Sequence, residues 1–328
     1  MQFDQIAQKG VLVIGRVGMD LTPHPANTRT QDATEMMVAM GGSAANIAAG
    51  LSKLGCRAAL LTCVSDDAVG WYCLNQLDHY GIDRTHVMAI KGEARTSLAV
   101  YETRVDDHQS VIYRNNAADF QLSVAQVEAV DFSLYGALIT TGTVFAAEPS
   151  RSAAFHALDL ARAVGLPIIF DVDYRPYSWP SAAEAQSVLS RAAAMAQIIV
   201  GNDEEFGFMA RGIANGFDKA RDLARSAAIV VYKLGPKGSI TLHDGAETRT
   251  GIFAVTAVKP TGAGDSFMAG FVASLAEGRA VPDAVLRGSA CASIVVARPG
   301  CAPAMPTPSE LAAFLVAHPG GTAFSKDS

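Results

Sequence analysis

Short β-branched runs alternate along this chain with longer, alanine-rich amphipathic segments, and that alternation builds a parallel sheet covered by helices. VLVIG, from Val11, opens the series as the first strand. Further strand-like runs fall at Ala59–Val64, Ala137–Thr141, Pro167–Asp171, Gln197–Val200 and Ala228–Lys233. Between them, Ser43–Leu54 reads as a helix ending at Gly55, a residue type suited to helix C-termini. Pro149–Val164, Ser181–Met195 and Asp218–Ser226 read as helices too. Pro149 and Pro282 fit the first turn of their helices, where a missing N–H costs nothing. Residues 16–40 and about 86–116 break the rhythm. The second stretch holds TSLAVYETRV and HQSVIYR around Asp106-Asp107, the pattern of an antiparallel hairpin. A small β-sheet rising from a helix-covered core is suited to act as a lid. With 328 residues the chain exceeds an average domain, but α/β folds of this length form one core plus insertions. The expected organisation is therefore one α/β domain over residues 1–328, a lid from the two irregular stretches, and a disordered tail over 319–328.

Composition excludes several classes of function. Half of the residues are hydrophobic, mainly through alanine, and no run approaches the length of apolar sequence that a membrane-spanning helix needs. MQFDQIAQKG lacks an apolar signal region, so the expected location is the cytoplasm. The formal charge is −6 with no basic block, which argues against a nucleic-acid partner. An anionic small substrate remains compatible, because a few arginines can reverse the field inside a cleft. The five cysteines are odd in number and show no CxxC spacing, so they read as buried free thiols in a reducing compartment. The seven histidines form no HxxxH or HExxH pair, which speaks against a protein-ligated transition metal.

The segment richest in chemistry is KPTGAGDSFMAGF, Lys259 to Phe271. Gly262, Ala263 and Gly264 precede Asp265 and a helix-compatible run. Such a turn directs unpaired N–H groups to one spot at the positive end of a helix dipole, which is an anion hole. Phosphoryl transfer needs that device, because charge develops on the oxygens of the moving group. An aspartate beside it can take the proton of an attacking hydroxyl. Taken alone, the same residues serve equally well as a tight turn and a helix cap. Other nucleotide sites are missing: there is no GxxxxGK[ST], no protein-kinase signature, and Val17 breaks the dinucleotide fingerprint after the first strand.

With GAGD in view, the chain resembles the ribokinase-like (PfkB) family of sugar kinases. GGSAANIAAGLSKLG (41–55), NDEE with Asn202 and Glu205, KLGPKG (233–238) and GAGD occur in the family's order and span most of the chain. The resemblance implies a three-layer α/β/α fold with a mainly parallel sheet and a β-lid, sugar binding between lid and sheet, and ATP and Mg²⁺ as reactants. Asp265 would be the catalytic base and residues 262–264 the anion hole. Asp20, Gly42 and Asn46 would contact sugar hydroxyls, with backbone approaching closely at Gly42. Asn202 and Glu205 would organise Mg²⁺ and phosphate through water. Lys233, Leu234, Gly235 and Gly238, with Gly262 and Gly264, would lie along the nucleotide. Members commonly carry an aspartate two positions before the first glycine of GAGD, where this chain has Pro260 after Lys259; that departure bears on K⁺ as a further cofactor, not on the base. Each residue has a plainer use as well: Asp20 can cap the turn before Pro23, Asn46 can be a satisfied core amide, and Glu205 favours a helix dipole.

YRNNAAD (Tyr113–Asp119) and DVDYRPYSW (Asp171–Trp179) each add an arginine, Arg114 and Arg175. A neutral sugar gives a guanidinium little to bind, whereas a carboxylate accepts its paired donors in a planar fork. Local pairing with Asp119 or Asp173 is the alternative. These segments resemble the family's kinases of keto-deoxy sugar acids, which implies transfer to a terminal hydroxyl; neutral-sugar kinases come after them. A non-catalytic relative would have no need of Asp265. Relatives often pair through the lid face, so a homodimer is a further expectation.

Overall fold

The computed structural model describes residues 3–104, 107 and 109–321. Among these residues thirteen strands follow in chain order. They are β1 (Val11–Ile14), β2 (Gly18–His24), β3 (Glu35–Gly41), β4 (Ala58–Ser65), β5 (Val87–Ile90), β6 (Ser97–Tyr101) and β7 (Ser110–Tyr113). The rest are β8 (Ala137–Thr141), β9 (Ile168–Asp171), β10 (Ile198–Asn202), β11 (Ile229–Lys233), β12 (Ser239–His243) and β13 (Ala246–Thr250). Nine of them form one sheet in the order β13-β12-β11-β10-β9-β8-β1-β4-β5. It is parallel from β11 to β5, and β12 and β13 add on antiparallel at one edge.

The strands legible in the sequence are those buried on both faces: β1, β4, β8 and β9 have no exposed residue. Alternation then sorts their side chains. Val11 and Val13 pack with the helices Ser43–Lys53, Ala263–Ala276 and Val281–Val296. Leu12 and Ile14 face the opposite core beneath Ser150–Ala163 and Ala182–Met195. The result is the three-layer arrangement expected, with helix ends shifted by a few residues. The helix from Ser43 stops at Lys53, and Gly55 takes the left-handed backbone. The helix expected over Asp218–Ser226 spans Gly216–Leu223. Pro149 caps its helix from outside instead of sitting in the first turn, whereas Pro282 lies within the first turn of Val281–Val296.

The irregular stretches form a second sheet, β3-β2-β6-β7. The expected hairpin is there, since β6 and β7 pair antiparallel with Leu98 opposite Tyr113. β2 and β3 also pair antiparallel, but β2 and β6 run parallel, so the small sheet is mixed. The stretch 86–116 does not belong to it entirely. β5 instead extends the main sheet beside β4, because its N–H and C=O groups complete that edge. Asp106 and His108 of the expected hairpin strings and residues 322–328 of the expected tail lie outside the described residues. Among the described residues no helix is long and apolar enough to cross a membrane.

Chain order reverses between β1 and β8, where the strands to one side follow β4 and those to the other follow β8. Open α/β sheets bind ligands at the carboxyl ends of strands beside such a switch. Arg16 after β1, Thr141 on β8, Asp171 on β9, Asn202 on β10 and Lys233 on β11 all stand at that edge.

Candidate active site

A cavity of about 1130 Å³ opens at this edge between the main sheet, the small sheet and the start of the helix Ala263–Ala276. Gly262 caps that helix at φ 85°, a left-handed conformation that favours glycine, and no side chain caps its N–H groups. The N–H groups of Ala263, Gly264 and Asp265 therefore lack partners inside the helix. A β-carbon at Gly264 would stand 3.6 Å from Lys233 Nζ, so the lysine ammonium adjoins the turn. Backbone dipoles and a fixed positive charge thus meet at one point, as an incoming phosphate requires.

Asp265 shares this mouth. Asn46 Nδ2 donates to its Oδ2 at 2.8 Å. Burial, reinforced by the charge of Asp173, pushes its carboxyl up to about 6, which leaves it ionised but basic at neutral pH. Asp20 projects from β2 on the small-sheet side, and burial likewise raises it to about 6. Asn46 Oδ1 is buried without a hydrogen-bond partner, so the amide is not the satisfied core group considered from sequence.

Gly42 lines the cavity, but its φ of 96° answers to packing. A β-carbon there would meet the Arg16 carbonyl oxygen at 2.5 Å. The glycine is needed because the β1–β2 link crosses over the helix start, a reason different from the close approach to ligand expected from sequence. The adjacent Ser43 was not anticipated: its hydroxyl donates to Asp173 Oδ2 at 2.7 Å. Thr143 donates to the same oxygen at 3.3 Å.

Both expected arginines line the cavity, and both have taken the local partners that were the alternative. Arg175 pairs with Asp173 at 2.9 Å and donates to the Tyr174 carbonyl at 3.0 Å, its side chain about half exposed. Arg114 pairs with Asp119, donates to the Thr143 carbonyl at 3.1 Å and lies over the Phe120 ring. Its Nε and Nη1 are buried without partners. A third guanidinium, Arg16, was missed as a site residue. It donates Nη1 to Ser97 Oγ at 3.1 Å and borders the cavity beside Asp20 and Ser43.

On the far side, Lys233, Gly235 and Gly238 line the cavity as expected. Leu234 does not; its side chain packs against the core while its N–H bonds the Gly238 carbonyl, closing the β11–β12 turn. The apolar segment Ile252–Val258 and helix residues Ala292 and Val296 complete a slot of the kind that takes a planar base. Sequence reading missed them because they carry no motif.

Asn202 and Glu205 form a reciprocal cap. Asn202 Oδ1 accepts from Glu205 N, and Glu205 Oε2 accepts from Asn202 N, both at 2.8 Å. Glu205 Oε1 accepts from Tyr174 N at 3.3 Å. The N-x-x-E pair is thus a capping box at the cavity edge. Among the described residues no group of three or more His, Cys, Asp or Glu could hold a metal by itself. Glu205 is the carboxylate of this pair, and a Mg²⁺ ion needs only one or two carboxylates besides waters and phosphate oxygens.

Comparisons with known proteins identify a family. The model of the "pfkB family carbohydrate kinase" matches residues 8–308. A 5-dehydro-2-deoxygluconokinase from Photobacterium profundum is 38% identical over 310 residues, covering 93% of this chain and 94% of the relative. One from Geobacillus kaustophilus is 35% identical over 332 residues and covers 99% of both. Among solved structures, a double-mutant fructokinase from Vibrio cholerae with fructose, ADP and potassium ion matches with a TM-score of 0.82. It is 25% identical, and the match covers 93% of this chain and 97% of that one.

Proposed function

The chain belongs to the pfkB family of carbohydrate kinases, and from that premise we propose that its acceptor is the terminal hydroxyl of 5-dehydro-2-deoxygluconate. The observation that carries the choice of an acid is the gathering of Arg16, Arg114 and Arg175 on one cavity that ends at Asp265. Three guanidinium groups at a sugar site are wasteful for a neutral ligand and complementary to a carboxylate. Arg175 is about half exposed and Arg16 borders the same cavity, whereas Arg114 is enclosed and held by Asp119.

In this reading Asp20 and Asn46 hold hydroxyls of the acid, and Asp265 takes the proton of the terminal one as the bond to phosphorus forms. Lys233 and the amides of Gly262, Ala263 and Gly264 hold the transferring group. Gly235, Gly238 and the apolar slot seat the rest of ATP. Asn202 and Glu205 would hold Mg²⁺ through water, and the ion would neutralise charge on the phosphate oxygens.

An ADP-release assay across sugars and sugar acids tests the substrate. Turnover should be best with 5-dehydro-2-deoxygluconate, then 2-dehydro-3-deoxygluconate, with fructose and ribose far behind. Arg16→Ala and Arg175→Ala should each raise KM for the acid by about tenfold or more, the scale of a lost charged hydrogen bond. A preference for fructose, or unchanged KM in both variants, would overturn the acid reading.

The small sheet also exposes Met36, Met37, Val38, Val111 and Tyr113. We propose a homodimer through the lid faces, since apolar side chains left exposed on both outer strands of the small sheet favour a partner. Sedimentation equilibrium should return twice the chain mass; a monomer at micromolar concentration would remove the assignment. All five cysteines are free thiols, which suits a reducing cytoplasmic setting.

A further inference from the structure

We propose that the Lys259 ammonium is a built-in monovalent cation at the GAGD turn, so that this kinase needs no K⁺. The inference rests on the kinase reading above, but on different residues. Lys259 is 2% exposed and is the one buried lysine among the described residues. Buried lysines ordinarily sit in ion pairs, yet no carboxylate lies within 4.0 Å of this one among the described residues. Its Nζ instead donates to the Thr261 carbonyl at 2.5 Å.

That carbonyl belongs to the peptide entering Gly262, so the ammonium holds the peptide that sets the direction of the following N–H groups. The main-chain N–H groups of Val258 and Lys259 donate to the Val296 carbonyl at 2.7 and 3.2 Å. This fixes the lysine at the C-terminal, negative end of the 16-residue helix Val281–Val296. Burial pushes the ammonium towards losing its proton, while Cys301, Asp265 and Asp20 act in the opposite sense. A carbonyl oxygen, a helix C-terminus and two nearby carboxylates make surroundings that hold a single positive charge. Lys259 supplies it covalently. A K⁺ ion does not fit beside it, because the ammonium already takes the carbonyl and would repel a second cation. Lys259 is thus a positioning residue: it acts on phosphate through the turn.

The test compares potassium, sodium and tetramethylammonium chloride at equal ionic strength. Wild-type turnover and ADP affinity should be the same in all three. Lys259→Met should lose at least about tenfold in kcat with little change in KM for the sugar acid, as expected for a disturbed anion hole. Lys259→Asp should be poorly active in tetramethylammonium and regain activity in potassium, a rescue that a merely structural lysine would not give. Wild-type activation by K⁺, or unchanged kcat in Lys259→Met, would overturn the proposal. Should Lys259→Met not fold, the wild-type series and Lys259→Asp still decide. ADP affinity requires no acceptor, so it decides the cation question even if no sugar acid is turned over, an outcome that would sink only the substrate reading.

Discussion

Asp265→Asn should keep substrate binding and lose turnover by at least about a hundredfold, the scale of a missing general base. The amide occupies the same space and can still meet Asn46, whose Nδ2 lies 2.8 Å from the wild-type carboxylate. What it cannot do is take a proton. The same carboxylate predicts a pH limb. Its raised value of about 6 means that acid converts the base to an inert carboxylic acid. Wild-type kcat/KM should therefore fall as pH drops through about 6 and level off above it. Asp20 is raised to a similar value and touches the same cavity. The variant separates the two: its residual activity should lack the limb, and a limb that persisted unchanged would pass the titration to Asp20. Near-normal turnover in Asp265→Asn would remove the aspartate from its role altogether.

Arg114→Ala should destabilise the fold by about 3–5 kcal/mol, because it leaves the Asp119 carboxylate buried and alone. Both side chains are almost wholly enclosed, at 5% and 2% exposure. The guanidinium also covers Phe120 at 4.1 Å and caps the Thr143 carbonyl, so its loss uncovers apolar surface as well. In a chain of this size the melting temperature should drop by roughly 4–7 °C. Removing both charges, in Arg114→Met with Asp119→Leu, should restore most of that loss, since no orphan ion remains. A single variant melting with the wild type would mean that the pair is hydrated in solution. The distinction bears on specificity: if Arg114 is architectural, effects on KM for the acid concentrate at Arg16 and Arg175.

The resemblance to a kinase family rested on local strings, and the structure explains why those strings are readable. A capping box is closed within four residues, so Asn202 and Glu205 announce themselves wherever they occur. The turn before Asp265 needs a left-handed residue at Gly262 and open space at the helix start, which only a short run of small residues provides. The arginines show the limit of such reading. YRNNAAD and DVDYRPYSW contain both the guanidinium and its local carboxylate, and nothing in either string says whether a ligand or the neighbour takes the donors. In the folded chain each guanidinium has taken its neighbour's carboxylate, and Arg16, from neither string, joins them on the cavity.

Sequence alone determined the layered α/β class, because strands buried on both faces must be apolar throughout and the helices between them must be amphipathic. It also determined the glycine turn before Asp265, whose geometry is local. Tertiary structure decided the partners: Ser43 meets Asp173 across 130 residues, and Asn46 meets Asp265 across 219. It also decided that Leu234 turns to the core, that β5 leaves the small sheet, and that Lys259 is buried beside a carbonyl. The physical reason is range: backbone preference and hydrophobic period act over a few residues, whereas hydrogen bonds and charges obey distances that only the closed fold sets.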